Sequence, residues 1–449
     1  MIIVLLIVFL VVILIFAGVF LQTKGHRNRL DRAKEHFQAG RYDEALKLFG
    51  ELAAKDTSNR LYNWFIGQCY EHVQNYELAL VEYNKVALST TFEPPLDEVD
   101  VHEKIALLTM KIGNVKAAYQ EFQTVISLAP ERGEAYYYLG IMSKNKGELQ
   151  KGVEYFEKAV RNKKQFPEGY LELGKVHYLL NHNDKAKRAL AQAISQNPTL
   201  SEAHYYYGLA LENDRVYNKS VEEFQKALAD DRFKFDSYVH LAGIYINLGE
   251  MDTPKEYFEK ALEHGTTEIE ALLDAKYNYA HFLIQSGDLN RAMNLWNEIA
   301  SIKPHFRDVD NRLQVYGEIS KSKNLTRFIT SFRHDFLKTG KELCGTLGFR
   351  IESYNNQKDD FLEFTGVYRS AREESSAVLH LARWTTQVGE IPVRELLERM
   401  VEKGATRGLF ITSSSFTEKA QELSRMRPLI LMERDKLEEI LEKVYSEIV

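Results

Sequence analysis

GEAYYYLGIMSKNKGELQKGVEYFEKAV (residues 133–160) and SEAHYYYGLALENDRVYNKSVEEFQKAL (residues 201–228) are two copies of one pattern. In each, a small residue (Gly152, Ser220) is followed four positions later by a large one (Phe156, Phe224). Three positions further on, Ala159 or Ala227 completes an apolar face at helical spacing. The same series reads Ala45, Phe49, Leu52; Ala79, Tyr83, Val86; Ala118, Phe122, Val125; Ala186, Leu190, Ala193; Pro254, Phe258, Ala261; and Ala292, Trp296, Ile299. From Ala118 to Pro254 each step is 34 residues, a period that means stacked helical hairpins. Twelve residues before each small position stands another: Ala33, Gly67, Ala106, Gly140, Gly174, Gly208, Ala242 and Ala280. Helix A of each hairpin carries this residue where it must approach helix B closely.

Eight such units, spanning 30–304, resemble the tetratricopeptide repeat (TPR) family, and the resemblance covers about three-fifths of the chain. It implies an α-solenoid that binds a protein partner. Pro130, Pro198 and Pro304 fall just past helix B, where a missing N–H costs nothing. Two steps are longer, 39 residues from Ala79 to Ala118 and 38 from Pro254 to Ala292, and imply lengthened loops. Pro254 places the start of its own helix close by. Residues 305–324 read as a polar-faced capping helix followed by the short hinge KSKN.

Met1 to Leu21 hold no charged side chain and are long enough to cross a bilayer. A secretory signal would open with basic residues and have a shorter apolar core, and no cysteine follows to take a lipid. Residues 1–22 are therefore expected to be an uncleaved transmembrane anchor, with a basic juxtamembrane segment at 23–29. Lys24, Arg27, Arg29 and Arg32 predict an N-terminus outside the cytoplasmic membrane and the bulk of the chain in the cytoplasm. The same basic run also suits the solvated first turn of the first repeat. A net charge of −6 argues against a partner held by bulk positive charge. The two cysteines, Cys69 and Cys344, make no disulfide framework.

On the A helices, the position three before each small residue (Trp64, Tyr137, Leu171, Tyr205, Val239, Tyr277) presents an aromatic and aliphatic face with few basic residues. It suits an apolar helix or extended peptide, and tyrosine there is also ordinary repeat packing. Acids at Asp100, Glu134, Glu168, Glu202, Asp236 and Asp274 serve the positive ends of successive A helices.

Beyond residue 325 the pattern changes to helices alternating with short apolar strands, an α/β domain with a small mixed sheet. The run LARWTTQVGEIPVRELLERMVEKGATRGLFITSSSFTEKAQELSR (residues 381–425) resembles the Mrr-type restriction endonuclease-like domain. Val393, Arg394, Glu395 and Leu396 match its helix start, and Thr412, Ser413, Phe416, Thr417 and Ala420 its later element. Such nucleases hold Mg²⁺ with an Asp on one strand and Gln or Glu plus Lys on the next. Aligned through Arg383 and Trp384, the Gln falls on His380 and the Lys on Ala382. Glu363 takes the Asp position, with Asp359 and Asp360 nearby. Arg383 supplies a cation but stays protonated and relays no proton. The resemblance thus implies a degenerate nuclease position and no cofactor, Mg²⁺ being required only if cleavage survives. Ser413 to Ser415 lack a nucleophile or phosphate-loop context and read as a helix cap. His177 and His182 are poorly spaced to share a metal. Two functions remain open: a membrane-anchored scaffold for protein partners, or a membrane-tethered DNA-binding protein or endonuclease.

Overall fold

The computed structural model describes residues 27–446 apart from 93, 357, 371, 372 and 426. It divides the chain into two compact units, Met1–Ala227 and Leu228–Val449. The expected anchor lies outside the described residues, among which no helix is long and apolar enough to cross a membrane.

In the first unit six hairpins follow one another. They are α1 (27–38) with α2 (Tyr42–Lys55), α3 (Arg60–His72) with α4 (Tyr76–Ala87), and α5 (Glu98–Lys111) with α6 (Val115–Leu128). Then come α7 (Gly133–Asn145) with α8 (Leu149–Asn162), α9 (Pro167–Leu179) with α10 (Asn183–Gln196), and α11 (Ser201–Asn213) with α12 (Tyr217–Ala227). Their packing follows from the small and large positions read above. A Cβ added at Gly67, Gly140 or Gly174 would stand 2.7, 2.6 and 2.5 Å from Tyr83, Phe156 and Leu190, each sixteen residues onward on helix B. Where the small B residue is Ser220, its hydroxyl donates to the Gly208 carbonyl at 2.8 Å, closing the same gap with a hydrogen bond.

The turns repeat as strictly. Seven residues past each small A position the backbone enters the left-handed region: Gly40, Gln74, Gly113, Gly147, Asn181 and Arg215. The next amide then reaches back to close helix A, as Asn75 N–H does to the Tyr70 carbonyl at 2.8 Å. Gln74 and Arg215 bear a side chain where glycine is the relaxed choice. The 39-residue step is absorbed by the connection at 88–97, as expected.

The second unit opens with the last two hairpins, α13 (Asp231–Asn247) with α14 (Thr253–His264), and α15 (Ile269–Gln285) with α16 (Leu289–Ile302). Pro254 sits in the first turn of α14. The 38-residue step does not lengthen a loop. Its extra residues extend α15 to 17 residues against 13 in α7, α9 and α11. Beyond it lie α17 (Val309–Ile319), α18 (Lys323–Thr330) and α19 (Arg333–Thr346). The stretch read as a hinge instead opens a helix, Ser322 accepting from the Leu325 amide at 3.3 Å. Nor is the cap polar-faced, because Val309, Ile319, Leu325 and Phe328 are buried in one apolar core that runs from Ala242 to Tyr445.

That core continues into a five-stranded sheet, β1 (Phe349–Asn355), β2 (Phe361–Arg369), β3 (Glu374–Ala382), β4 (Arg407–Thr412) and β5 (Leu429–Met432). The strands lie in sequence order, antiparallel from β1 to β3 and parallel from β3 to β5, the mixed sheet expected. Helices α20 (Glu390–Glu402), α21 (Glu418–Arg425) and α22 (Arg434–Ser446) complete the domain. Alternation along β3 sorts its faces. Leu379 and Leu381 meet α19 and α22, while Val378 and Ala382 meet α20 and α21.

Gly140→Val drives two methyls into the Phe156 ring and is expected to cost about 1–3 kcal/mol in denaturant unfolding. Arg215→Gly relieves a left-handed side chain and is expected to add roughly 0.5–1 kcal/mol. Equal stability of Gly140→Val and wild type would contradict the packing rule.

Candidate functional site

The residues at the nuclease positions meet on the α20 face of the sheet. Glu363 on β2 and His380 on β3 are directly paired in the ladder, and both are buried, 8 % and 3 % exposed. The His380 Nε2 lies 3.3 Å from the Glu363 Oε2. Arg399, three residues past Leu396 on α20, donates Nε–H to the same oxygen at 3.1 Å and bonds Glu402 at 2.6 Å. The His380 hydrogen bond, reinforced by Arg399, holds the Glu363 carboxyl below the usual carboxylate range against the opposing effect of burial. The other imidazole nitrogen, Nδ1, is buried without a partner, in a setting of aromatic rings: Phe361 at 4.8 Å and Phe410 at 5.5 Å, both edge to face.

Ala382 is fully buried on this face. Arg383 is bonded elsewhere. Its Nε–H donates to the Asp359 carbonyl at 2.9 Å, and Nη1 to the carbonyls of Ile329 at 3.3 Å and of Ser331. The guanidinium lies 4.6 Å from the Phe336 ring centre. The chain breaks between α18 and α19, and Arg383 binds the carbonyls exposed by the break. Asp359 is paired with Arg333 at 3.4 Å. A magnesium ion needs several oxygen ligands. The one carboxylate inside this site is already shared by an imidazole and a guanidinium, so the residues present do not fit that ion.

Ser413 and Ser414 are buried; Ser413 donates to the Trp384 carbonyl at 2.8 Å, and the Ser414 amide bonds Thr412 Oγ1 at 3.2 Å. This loop is therefore bound to the sheet ends. Arg399 was missed by sequence reasoning, although its place at helical spacing beside Leu396 and Met400, on the buried side of α20, is a legible signal.

On the A helices the named face divides. Leu171 is 5 % exposed and belongs to a repeat core with Leu190. Tyr137 packs on Phe156 and Phe166 at 6.0 and 5.1 Å, and burial, with Glu172 nearby, pushes its hydroxyl up to about 12. Trp64 and Tyr205 rest on Tyr83 and Phe224, and Val239 packs beside Phe235. Tyr277 donates to Asp308 at 2.7 Å with Arg307 and Arg312 over its ring at 4.9 and 5.3 Å. These positions chiefly pack helix A against helix B of their own hairpin, and Tyr137 and Tyr277 also reach the segment that follows it.

The adjacent face is less apolar than expected. Across α7, α9 and α11 runs a charge ladder: Lys144 to Glu172 at 2.5 Å, Glu172 to Lys175 at 2.8 Å, Lys175 to Glu202 at 2.5 Å. Tyr178 and Tyr206 meet edge to face beside it. Several acids read as helix-end charges also bridge to basic residues, Asp100 to Arg132, Glu134 to Lys163 and Asp274 to Arg307.

Family models match both parts of the chain. Tetratricopeptide repeat models match residues 30–94, 104–167, 171–237 and 235–263, and a restriction endonuclease model, Mrr_cat, matches 332–441. A TPR repeat-containing protein of Methanocaldococcus jannaschii is 20 % identical over 84 % of this chain and 75 % of its own length. The photosystem I assembly protein Ycf3 of Prochlorococcus marinus is 27 % identical over 31 % of this chain and 92 % of its own. Among solved structures, the C-terminal part of a TPR repeat-containing protein from Cytophaga hutchinsonii covers 63 % of this chain and 98 % of its own, with 18 % identity and a TM-score of 0.40.

Glu363→Gln tests the triad. The folded-state carboxyl is lowered, so its stabilisation is present above the ordinary carboxylate range and is lost as pH falls through the folded-state value. The variant is expected to lose roughly 1.5–3 kcal/mol at pH 7, with the gap to wild type closing below about pH 4. A gap independent of pH in denaturant titrations would show that Glu363 carries no favourable charge interaction.

Proposed function

We propose that this chain, which carries tetratricopeptide repeats and a C-terminal restriction endonuclease-like domain, is a membrane-anchored scaffold for protein partners whose nuclease-like domain does not cleave. The observation that carries this reading is the fate of Glu363. The single carboxylate at the nuclease position is held by His380 and Arg399, with Ala382 where a lysine would stand. Repeats of this family generally mediate protein–protein interaction, and the tyrosine-flanked charge ladder on α7, α9 and α11 is the surface assigned to the partner. It offers fixed charges of both signs beside aromatic edges, which suits a polypeptide better than a phosphate backbone. Two arginines of the C-terminal domain are similarly committed, Arg407 to Glu373 and Arg434 to Glu318, each at 2.8 Å. That pairing supports protein docking over DNA tracking. The uncharged stretch Met1–Leu21 and the lysine and arginines after it support a single-pass anchor in the cytoplasmic membrane, N-terminus outside.

The full chain in membrane vesicles tests both halves. A photo-cross-linking residue at Tyr206 is expected to trap a discrete protein partner that the same probe at Val81, exposed on α4, does not trap. Plasmid DNA incubated with the same preparation and Mg²⁺ is expected to stay intact. Identical cross-linking from both positions would sink the scaffold reading, and cutting that disappears in Glu363→Ala would establish the nuclease instead.

A further inference from the structure

His204, in the first turn of α11, is bonded in a way that a neutral ring cannot satisfy. Glu223 faces it from α12, and both side chains are buried. The imidazole Nδ1 lies 2.5 Å from the Glu223 Oε2, and Nε2 lies 3.0 Å from the Pro198 carbonyl, in the turn that joins α10 to α11. A carbonyl only accepts, and so does an ionised carboxylate. Glu223 is held in that state by a second donor, Lys226 Nζ, at 2.8 Å. Both ring nitrogens must therefore donate, and only the imidazolium carries two N–H groups.

The charged groups that face the ring are Glu223 and Lys226 of α12. On α9, Glu172 and Lys175 are bonded to each other, and Lys175 to Glu202. The second half of α10 and the turn after it, residues 189–200, hold no ionisable side chain. Burial works against the charged ring, but the Glu223 and Pro198 bonds outweigh burial and Lys226 together and raise the imidazole above its ordinary value. Burial opposes the Glu223 charge as well, and the bonds from His204 and Lys226 outweigh it, holding the carboxyl below the usual carboxylate range. A histidine raised in the folded state stabilises it fully below the ordinary value of about 6.5, and that stabilisation is lost as pH rises through the folded-state value.

Equivalent positions in other repeats use the same spacing of nineteen residues without a fully enclosed charge. In the second hairpin Asn63 Nδ2 donates to Glu82 at 2.7 Å, and in the third His102 pairs with Glu121 at 2.7 Å, both side chains partly open to solvent. The amide of Asn63 joins helix A to helix B and does not titrate.

We propose that His204 is a proton-controlled clamp on the partner surface. Charged, it ties the first turn of α11 at once to α12 and to the turn from α10; neutral, it releases one of the two. Glu202 and Tyr206, two residues to either side on the same helix, belong to the tyrosine-flanked charge ladder. Release of the clamp displaces them, and partner affinity falls as the pH rises. This rests on the scaffold reading and supplies the regulation of that same surface.

The first readout is nitrogen NMR of labelled histidine rings in the full chain in detergent micelles, where the His204 signals are those that vanish in His204→Asn. That variant copies the Asn63 arrangement and is expected to fold, which thermal melting checks. At about pH 7, where an ordinary histidine is mostly neutral, both His204 nitrogens are expected to carry protons. A neutral ring at that pH overturns the proposal. The second readout is the photo-cross-linking residue at Tyr206, with the full chain in membrane vesicles. In the wild-type background the yield of trapped partner is expected to fall about fivefold between about pH 6.5 and about pH 9, an ordinary coupling between two sites. With His204→Asn it is expected to stay level. A level yield in the wild-type background, or an equal fall with His204→Asn, overturns the clamp and leaves the scaffold reading standing. No trapped partner at any pH removes both.

Discussion

The contact on which the repeats depend is a small residue on helix A pressed against a large one on helix B sixteen residues later. At Gly140 the gap to Phe156 leaves no room for even a methyl group. That closeness fixes where the two helices cross, and the left-handed residue seven positions past the small one fixes how the chain turns between them. Each ring is buried inside its own hairpin and against the adjacent one, so the geometry propagates from repeat to repeat by local contacts. A side chain that looks available on the A helices, such as Leu171 or Tyr137, is therefore drawn into the packing.

The C-terminal domain applies the same economy to a different inheritance. A buried carboxylate is tolerated where opposite charge and hydrogen bonds surround it, and at Glu363 an imidazole and a guanidinium do so. Arg383 binds the chain break between α18 and α19. A stretch that resembles catalytic machinery in sequence thus holds the sheet to the helices before it, and one apolar core from Ala242 to Tyr445 joins the last repeats to that sheet.

Much of this was legible beforehand because it is periodic. The small and large positions, the eight hairpins and the order of helices and strands after residue 333 all follow from local spacing. What escaped was decided by distant partners. Arg399 reaches Glu363 across 36 residues. Lys323 and Asn324 look like a linker but begin a helix capped by Ser322, because the core offers Leu325 and Phe328 a place to be buried. The charge ladder on α7, α9 and α11 escaped because lysines and glutamates in different repeats meet only once the hairpins stack. A cavity beside Trp384 likewise draws its walls from segments as far apart as Ile246 and Thr386 and has no linear signature.

The central claim is that the nuclease position has become a charge-paired part of the structure. Titration calorimetry of the full chain with Mg²⁺, and with Mn²⁺ as the more readily bound surrogate, tests it most directly. The account predicts no saturable binding attributable to Glu363, and identical heats for wild type and Glu363→Gln. Saturable binding that vanishes in Glu363→Gln would contradict it and restore a metal-dependent nuclease.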